Sequence, residues 1–254
     1  MGAKTEISWC DSTWSAVRGC SRVSSGCAHC YAERMAARFA TGPMERPGPY
    51  SRVIGLNGRW NGHVELIEAQ LEIPLHWRKP RRIFVNSMAD TFHEKLADES
   101  IERIFAVMAL CPQHTFLCLS KRAGRMRDWV SGQNYRSLSR FFTFPKSGYC
   151  PDTTWPLPNV WLGVSVEDQA TADERIPLLL QTPAARRWVS AEPLLGPLDF
   201  DGFLGRCWCS QPQCHDGSTA HEPGCPPTEK LDLIVAGGES GPGARPCRVE
   251  WIRS

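Results

Sequence analysis

Apolar residues in this chain come in short, nearly continuous runs, separated by stretches whose apolar positions recur at helical spacing. Arg82-Ile-Phe-Val-Asn-Ser87, Thr115-Phe-Leu-Cys-Leu-Ser120 and Asn159-Val-Trp-Leu-Gly-Val-Ser165 each read as a buried strand, as do Arg186-Arg-Trp-Val-Ser-Ala191 and Leu231-Asp-Leu-Ile-Val-Ala236. Between them, Glu99 to Leu110 places Ile101, Ile104, Phe105 and Met108 on one helical face, and Arg122 to Val130 and Gln169 to Leu180 also read as helices. Near-continuous apolar strands alternating with helices predict parallel strands covered on both faces. The beginning of the chain adds a first strand within 5–17, where the aromatic-rich pieces Glu6-Ile-Ser-Trp9 and Thr13-Trp-Ser-Ala-Val17 lie. A helix follows from Tyr31 to Phe39, with Ala32, Met35, Ala36 and Phe39 on one face. The sum is about six βα units in a single α/β domain over 1–254, with a last helix beginning near Arg248-Val-Glu-Trp-Ile252. Stretches 41–80, 131–158 and 200–228 are irregular and read as loop insertions, the first carrying a short strand near His63-Val-Glu-Leu-Ile67.

Composition narrows the picture. At 254 residues the chain suits one large domain, and 42% hydrophobic residues suffice for a full core. The balance of 29 basic against 27 acidic residues makes no global electrostatic case for nucleic acid. The basic run Arg78-Lys-Pro-Arg-Arg82 reads better as a solvated loop entering a strand than as a phosphate site. The N-terminus has no apolar signal region and no run is long enough to span a bilayer, so a cytoplasmic protein without membrane contact is expected. Twelve cysteines in such a chain point to reduced thiols and metal ligation rather than to disulfides.

The strands end in polar or charged residues: Asn86, Ser87 and Asp90; Ser120, Lys121 and Arg122; Ser165, Glu167 and Asp168; Ser190 and Glu192; and Gly237, Gly238, Glu239 and Ser240. In a (β/α) barrel the active site is built at these carboxyl ends. Helix capping is the competing explanation, and Asp168 and Ser240 fit it well. Lys121 and Glu192 do not, because a lysine suits a helix start poorly and Pro193 follows Glu192, and Lys121, Glu192 and Glu239 are weighted toward function. Gly237-Gly-Glu-Ser-Gly-Pro-Gly243 allows close backbone approach to a ligand without specifying a dinucleotide.

Two cysteine groups carry candidate metal chemistry. Cys20, Cys27 and Cys30 fall on one loop, with six and two residues between them. They can hold three irons of an iron–sulfur cluster and leave a fourth open, or supply three ligands of a zinc site, or be ordinary buried thiols. Cys207, Cys209, Cys214 and Cys225, with His215 and His221 between them, lie in a Pro/Gly-rich segment too polar to form a core. The group reads as a structural zinc knuckle over 207–225, the alternative being a loop with solvent-exposed thiols.

Several stretches together resemble a family: Glu6-Ile-Ser-Trp-Cys-Asp-Ser-Thr-Trp14, Gly26-Cys27-Ala-His-Cys30-Tyr31-Ala32, Arg81-Arg-Ile-Phe-Val-Asn-Ser-Met-Ala-Asp90 and Val235-Ala-Gly-Gly-Glu-Ser-Gly-Pro-Gly-Ala-Arg245. It is the phage and prophage protein family with a three-cysteine motif, which is similar to the radical S-adenosylmethionine (SAM) superfamily. That resemblance implies a partial (β/α)6 barrel of the radical SAM type with loop insertions, encoded by a phage or prophage and working in a bacterial cytoplasm. It implies that Cys20, Cys27 and Cys30 bind a [4Fe–4S] cluster, whose open iron takes SAM, and that one-electron reduction yields a 5′-deoxyadenosyl radical. Ser87, Asp90, Ser165, Gly237, Gly238 and Glu239 are then candidate cofactor-binding residues. Lys121, Glu167 and Glu192 are the candidate catalytic residues. An electron donor such as flavodoxin or ferredoxin is implied as a partner, and a phage setting suggests a nucleotide or nucleic acid as substrate. The contrasting expectation is a zinc-stabilised, non-enzymatic module that binds nucleic acid or a host protein.

Overall fold

A computed structural model describes residues 5–43, 46–133, 154–201, 230–241 and 243–253, together with Leu138, Phe141 and Phe203. Its centre is a six-stranded sheet of β1 (Ser12–Trp14), β4 (Arg82–Val85), β5 (Thr115–Ser120), β6 (Val160–Ser165), β7 (Arg186–Ala191) and β8 (Leu233–Ala236), in that order. Every neighbouring pair is parallel, so all six carboxyl ends point the same way. Parallel neighbours need a crossover, and α3 (Asp98–Ala109), α4 (Ala123–Ser131) and α5 (Gln169–Leu180) supply three of them. The α/β expectation and five of the strand runs hold closely.

The two faces of the sheet differ. Ile83, Val85, Phe116, Cys118, Val160, Leu162, Val164 and Val189 alternate onto one face and share a buried core with Ile104, Phe105, Met126, Ile176 and Leu179 of the helices. Phe84, Leu117, Leu119, Gly163, Ser165, Trp188 and Ser190 alternate onto the other. Trp9 packs against that second face. Its ring sits 4.8 Å from Phe84 in β4 and 5.0 Å from Trp188 in β7, centroid to centroid. With β5 and β6 intervening, a flat sheet would hold those two side chains ~14 Å apart. The sheet is therefore curled around Trp9, with helices on one face and aromatic side chains on the concave one. Gly163 permits the inward lean of Trp188, since a Cβ at Gly163 would lie 2.5 Å from the indole nitrogen. Among the described residues no pairing joins β1 to β8.

The first strand is shorter than the aromatic pieces suggested, because Glu6 to Trp9 turns inward rather than joining the sheet. Val17–Arg18 (β2) leaves the sheet and pairs antiparallel with Glu65–Leu66 (β3), which ties the 41–80 insertion to the base of the cysteine loop. That insertion also holds α2 (Glu68–Leu71) and a 3-10 turn at Ile73–His76. The basic run ends at the amino end of β4, where Arg81 covers the Trp77 ring at 4.7 Å and Arg82 pairs with Asp11 at 3.1 Å. The chain ends in α6 (Glu250–Arg253). Among the described residues no helix is long and apolar enough to cross a membrane.

Candidate functional site

The cysteine loop follows β2 and leads into α1 (Tyr31–Ala40). Ser25–Cys27 forms one 3-10 turn, closed by Cys27 N–H donating to Ser24 O at 3.0 Å. Cys30 stands at the N-cap of α1. All three cysteines line a cavity of about 560 Å³ at the carboxyl ends of the strands, a volume typical of small-molecule sites. Cys10 is buried and lies outside that lining.

The cavity gathers most of the expected site residues: Ser87, Asp90, Lys121, Ser165, Glu192, Gly238 and Glu239 all line it. Glu167 and Gly237 stand just behind. Glu167 is fully buried and pairs with Lys121 Nζ and with Arg175 Nη1, the latter at 3.1 Å. It also accepts from Ser24 Oγ at 2.5 Å, so one carboxylate joins the ends of β5 and β6 to the cysteine turn. Burial alone would raise the Glu167 carboxyl, but Lys121 and Arg175 outweigh it and hold the group below its usual range. Gly26 is required at this contact, since a Cβ there would fall 2.4 Å from Glu167 Cγ.

Asp90 is also fully committed. Its Oδ1 accepts from Phe92 N–H at 2.9 Å and Ser120 Oγ at 2.8 Å, and its Oδ2 from Lys121 N–H at 3.2 Å and Arg122 Nη1 at 3.0 Å. Arg122 goes on to Glu94 at 2.7 Å and Ser21 Oγ at 2.7 Å, and its Nη1 lies 4.0 Å from Cys20 Sγ. Ser87 accepts the Tyr31 hydroxyl through its carbonyl. Glu192 is oriented by Ser190 Oγ donating to Oε2 at 3.0 Å, and Ser165 Oγ donates to its carbonyl at 3.1 Å. Gly237 leaves room for this carboxylate, because a Cβ there would lie 2.6 Å from Glu192 Oε1.

After β8 the chain returns to the cysteine loop from the far edge of the sheet. Arg245 grips Glu239 at 2.7 and 3.1 Å and donates to Ser25 O at 3.0 Å, while Arg34 of α1 donates to Ser240 O at 2.6 Å. The Arg245 side chain beside Glu239 holds that carboxyl down at about 2. Ser240 thus contributes a carbonyl to this contact, and Asp168 caps α5 through Thr171 in a reciprocal capping box, as expected of it. Sequence reasoning gave no role to Arg175, Arg34 or Arg245. Arg175 had a readable signal, an arginine two turns beyond Glu167 in an apolar helix; the other two act across the sheet and had none.

Burial pushes the Cys20 thiol up to about 12, with Asp90 adding to the effect and Arg122 opposing it. Cys30 is raised by burial as well. Among the described residues no three His, Cys, Asp or Glu side chains converge on one point as the ligands of a single metal ion would. Cys207, Cys209, Cys214 and Cys225 lie outside the described residues, as does most of the 200–228 insertion. Residues 4–254 match the family described as "Protein of unknown function (DUF5131)". The chain belongs to the DUF5131 family. Its match spans the cysteine loop, all six sheet strands and the Glu239–Arg245 return, so the whole cavity lies inside the DUF5131 domain. No curated protein and no solved structure matches the chain.

Proposed function

We propose that this DUF5131 protein is a radical SAM enzyme built on a partial (β/α)6 barrel. The observation that carries the reading is the placement of Cys20, Cys27 and Cys30 on one wall of a cavity at the carboxyl ends of six parallel strands. The curl around Trp9 supports the barrel, and the contact between the loops after β1 and β8 supports an approach of its two edges. The donor set fits a [4Fe–4S] cluster in kind, because such clusters are held by cysteine thiolates and Cys20, Cys27 and Cys30 line one cavity. When bound, the cluster supplies the electron that cleaves SAM to methionine and a 5′-deoxyadenosyl radical.

The chain's own residues set the conditions for that chemistry. Arg122, beside Cys20, places a cation where a cluster of net negative charge would sit. Glu167 fixes the Ser24–Cys27 turn and Lys121 against one another, so it positions rather than reacts. Ser87, Ser165, Gly238 and Glu239 line the cavity where SAM would lie, and Glu192 faces the substrate. An electron donor such as flavodoxin or ferredoxin belongs to the same proposal.

Anaerobic reconstitution with iron and sulfide tests it. The expected result is a brown protein holding iron and sulfide in equal amounts that cleaves SAM on reduction. Serine at Cys20, Cys27 or Cys30 should each abolish cleavage, while Cys10→Ser should not. Stoichiometric zinc without a cluster, unchanged by Cys27→Ala, would instead mark a non-enzymatic zinc module and end the proposal.

A further inference from the structure

Five carboxylates stand at or behind the cavity; Glu6 is solvent-exposed, and three of the other four have their charge met. Asp90 has Arg122, Glu167 has Lys121 and Arg175, and Glu239 has Arg245. Glu192 has no cationic partner among the described residues; its side chain is held by the neutral hydroxyl of Ser190. Nor is it loosely placed. Gly237 closes in on Oε1, and Ser165 fixes the backbone carbonyl. A carboxylate held in place with unmet charge inside a cavity favours a ligand that brings a cation.

The surroundings say what shape that cation has. Trp188 and Ser190 share the concave face of β7, with Glu192 following, and the Trp9 ring lies 5.0 Å from Trp188 and 4.8 Å from Phe84. Trp9 and Phe84 also line the cavity. The cavity therefore combines two aromatic side chains with the oriented Glu192 carboxylate. A compact ammonium can also lie over an aromatic face, but it offers a carboxylate no planar pair of donors. A planar guanidinium does both, since it stacks on aromatic faces and offers two parallel N–H donors to the two carboxylate oxygens.

We infer that Glu192, with Trp9 and Phe84 lining the same cavity, forms a guanidinium-recognition site, so that the substrate is a guanidino compound or an arginyl side chain. As a statement about substrate, this rests on the reading of the cavity as the active site. Calorimetric titration of the full-length protein without added iron, using L-arginine, agmatine and N-acetyl-arginine amide, tests binding separately from the radical chemistry. At least one should bind, with the corresponding neutral citrulline compound at least tenfold weaker. Tight binding of the amide alone identifies a peptide-borne arginine; tight binding of agmatine or arginine identifies a free guanidino compound. Glu192→Gln should weaken binding about ten- to a hundredfold, the worth of a charge-assisted hydrogen-bonded pair. Ser190→Ala, which removes only the orienting hydroxyl, should weaken it less. Equal binding of the citrulline compound, preferential binding of guanosine, or undiminished affinity in a folded Glu192→Gln protein overturns the assignment. The radical reading fails separately, if a protein that binds the guanidinium takes up no cluster.

Discussion

At the scale of single residues the site depends on Glu167. It makes no contribution to the cavity surface, yet it touches Lys121, Arg175 and Ser24. Removing one member of a buried ionic group leaves the others uncompensated. Glu167→Gln should therefore lower stability in urea denaturation by about 3 kcal/mol or more. Gly26→Ala forces a methyl into the 2.4 Å space against the same side chain and should cost ~1–3 kcal/mol, with loss of iron uptake in reconstitution. Gly124→Ala is the control: nothing lies within 4 Å of the added carbon, so stability should stay the same or rise by ~0.5 kcal/mol. An unchanged melting temperature for Gly26→Ala would show that the cysteine turn does not rest on Glu167. Glu167 could be picked out from sequence as a polar strand-end residue. Its work as a positioning group could not, because Ser24, 143 residues away in the chain, reaches it through tertiary packing.

At the scale of elements, β5, β6 and β7 and helices α3 and α5 were legible because their apolar runs are long and their ends are marked. Asp168 shows how local that information is: it accepts from Thr171 N–H at 2.9 Å, and α5 begins at the next residue. Asp168→Ala should cost ~1 kcal/mol of stability in chemical denaturation, the usual worth of an N-cap, and should leave ligand binding in the cavity intact. A larger loss with failed binding would mean that Asp168 also supports Glu167, whose N–H donates to Thr171 Oγ1 at 2.9 Å. The first strand lies within the expected 5–17 but takes only Ser12–Trp14 of it. Glu6 to Trp9 has strand-like composition, but Trp9 packs between Phe84 and Trp188 instead of extending β1. The alternation that marks a concave face was present in Trp188-Val-Ser190 and Gly163-Val-Ser165, where bulky, small and polar residues share a side. It was hidden by the equally apolar opposite face.

At the scale of the whole molecule, β1 and β8 are the two edges of the sheet, and the loops that follow them are what meet. Arg245 is central to that contact, since it binds Glu239 within its own loop and Ser25 O across the gap, while Arg34 reaches back to Ser240 O. None of this is visible in local sequence, because Ser25 and Arg245 are 220 residues apart. The contact is pH-sensitive in a definite direction. The Glu239 carboxyl sits at about 2 in the fold against an ordinary 4.5, so its folded value is depressed. A depressed carboxylate contributes stability that is fully present above the unfolded value and is lost as pH falls toward the folded one. Wild-type protein should therefore exceed Glu239→Gln in denaturation midpoint at pH 7. That difference should stay constant down to about pH 5 and shrink steadily toward pH 2. Arg245→Gln should reproduce the loss at pH 7 and abolish the extra acid dependence, because the carboxylate then has no guanidinium to hold it down. A difference between wild type and Glu239→Gln that is flat across the same range would show that the two edges are held by the backbone contacts of Arg34 and Arg245, and not by the charge on Glu239.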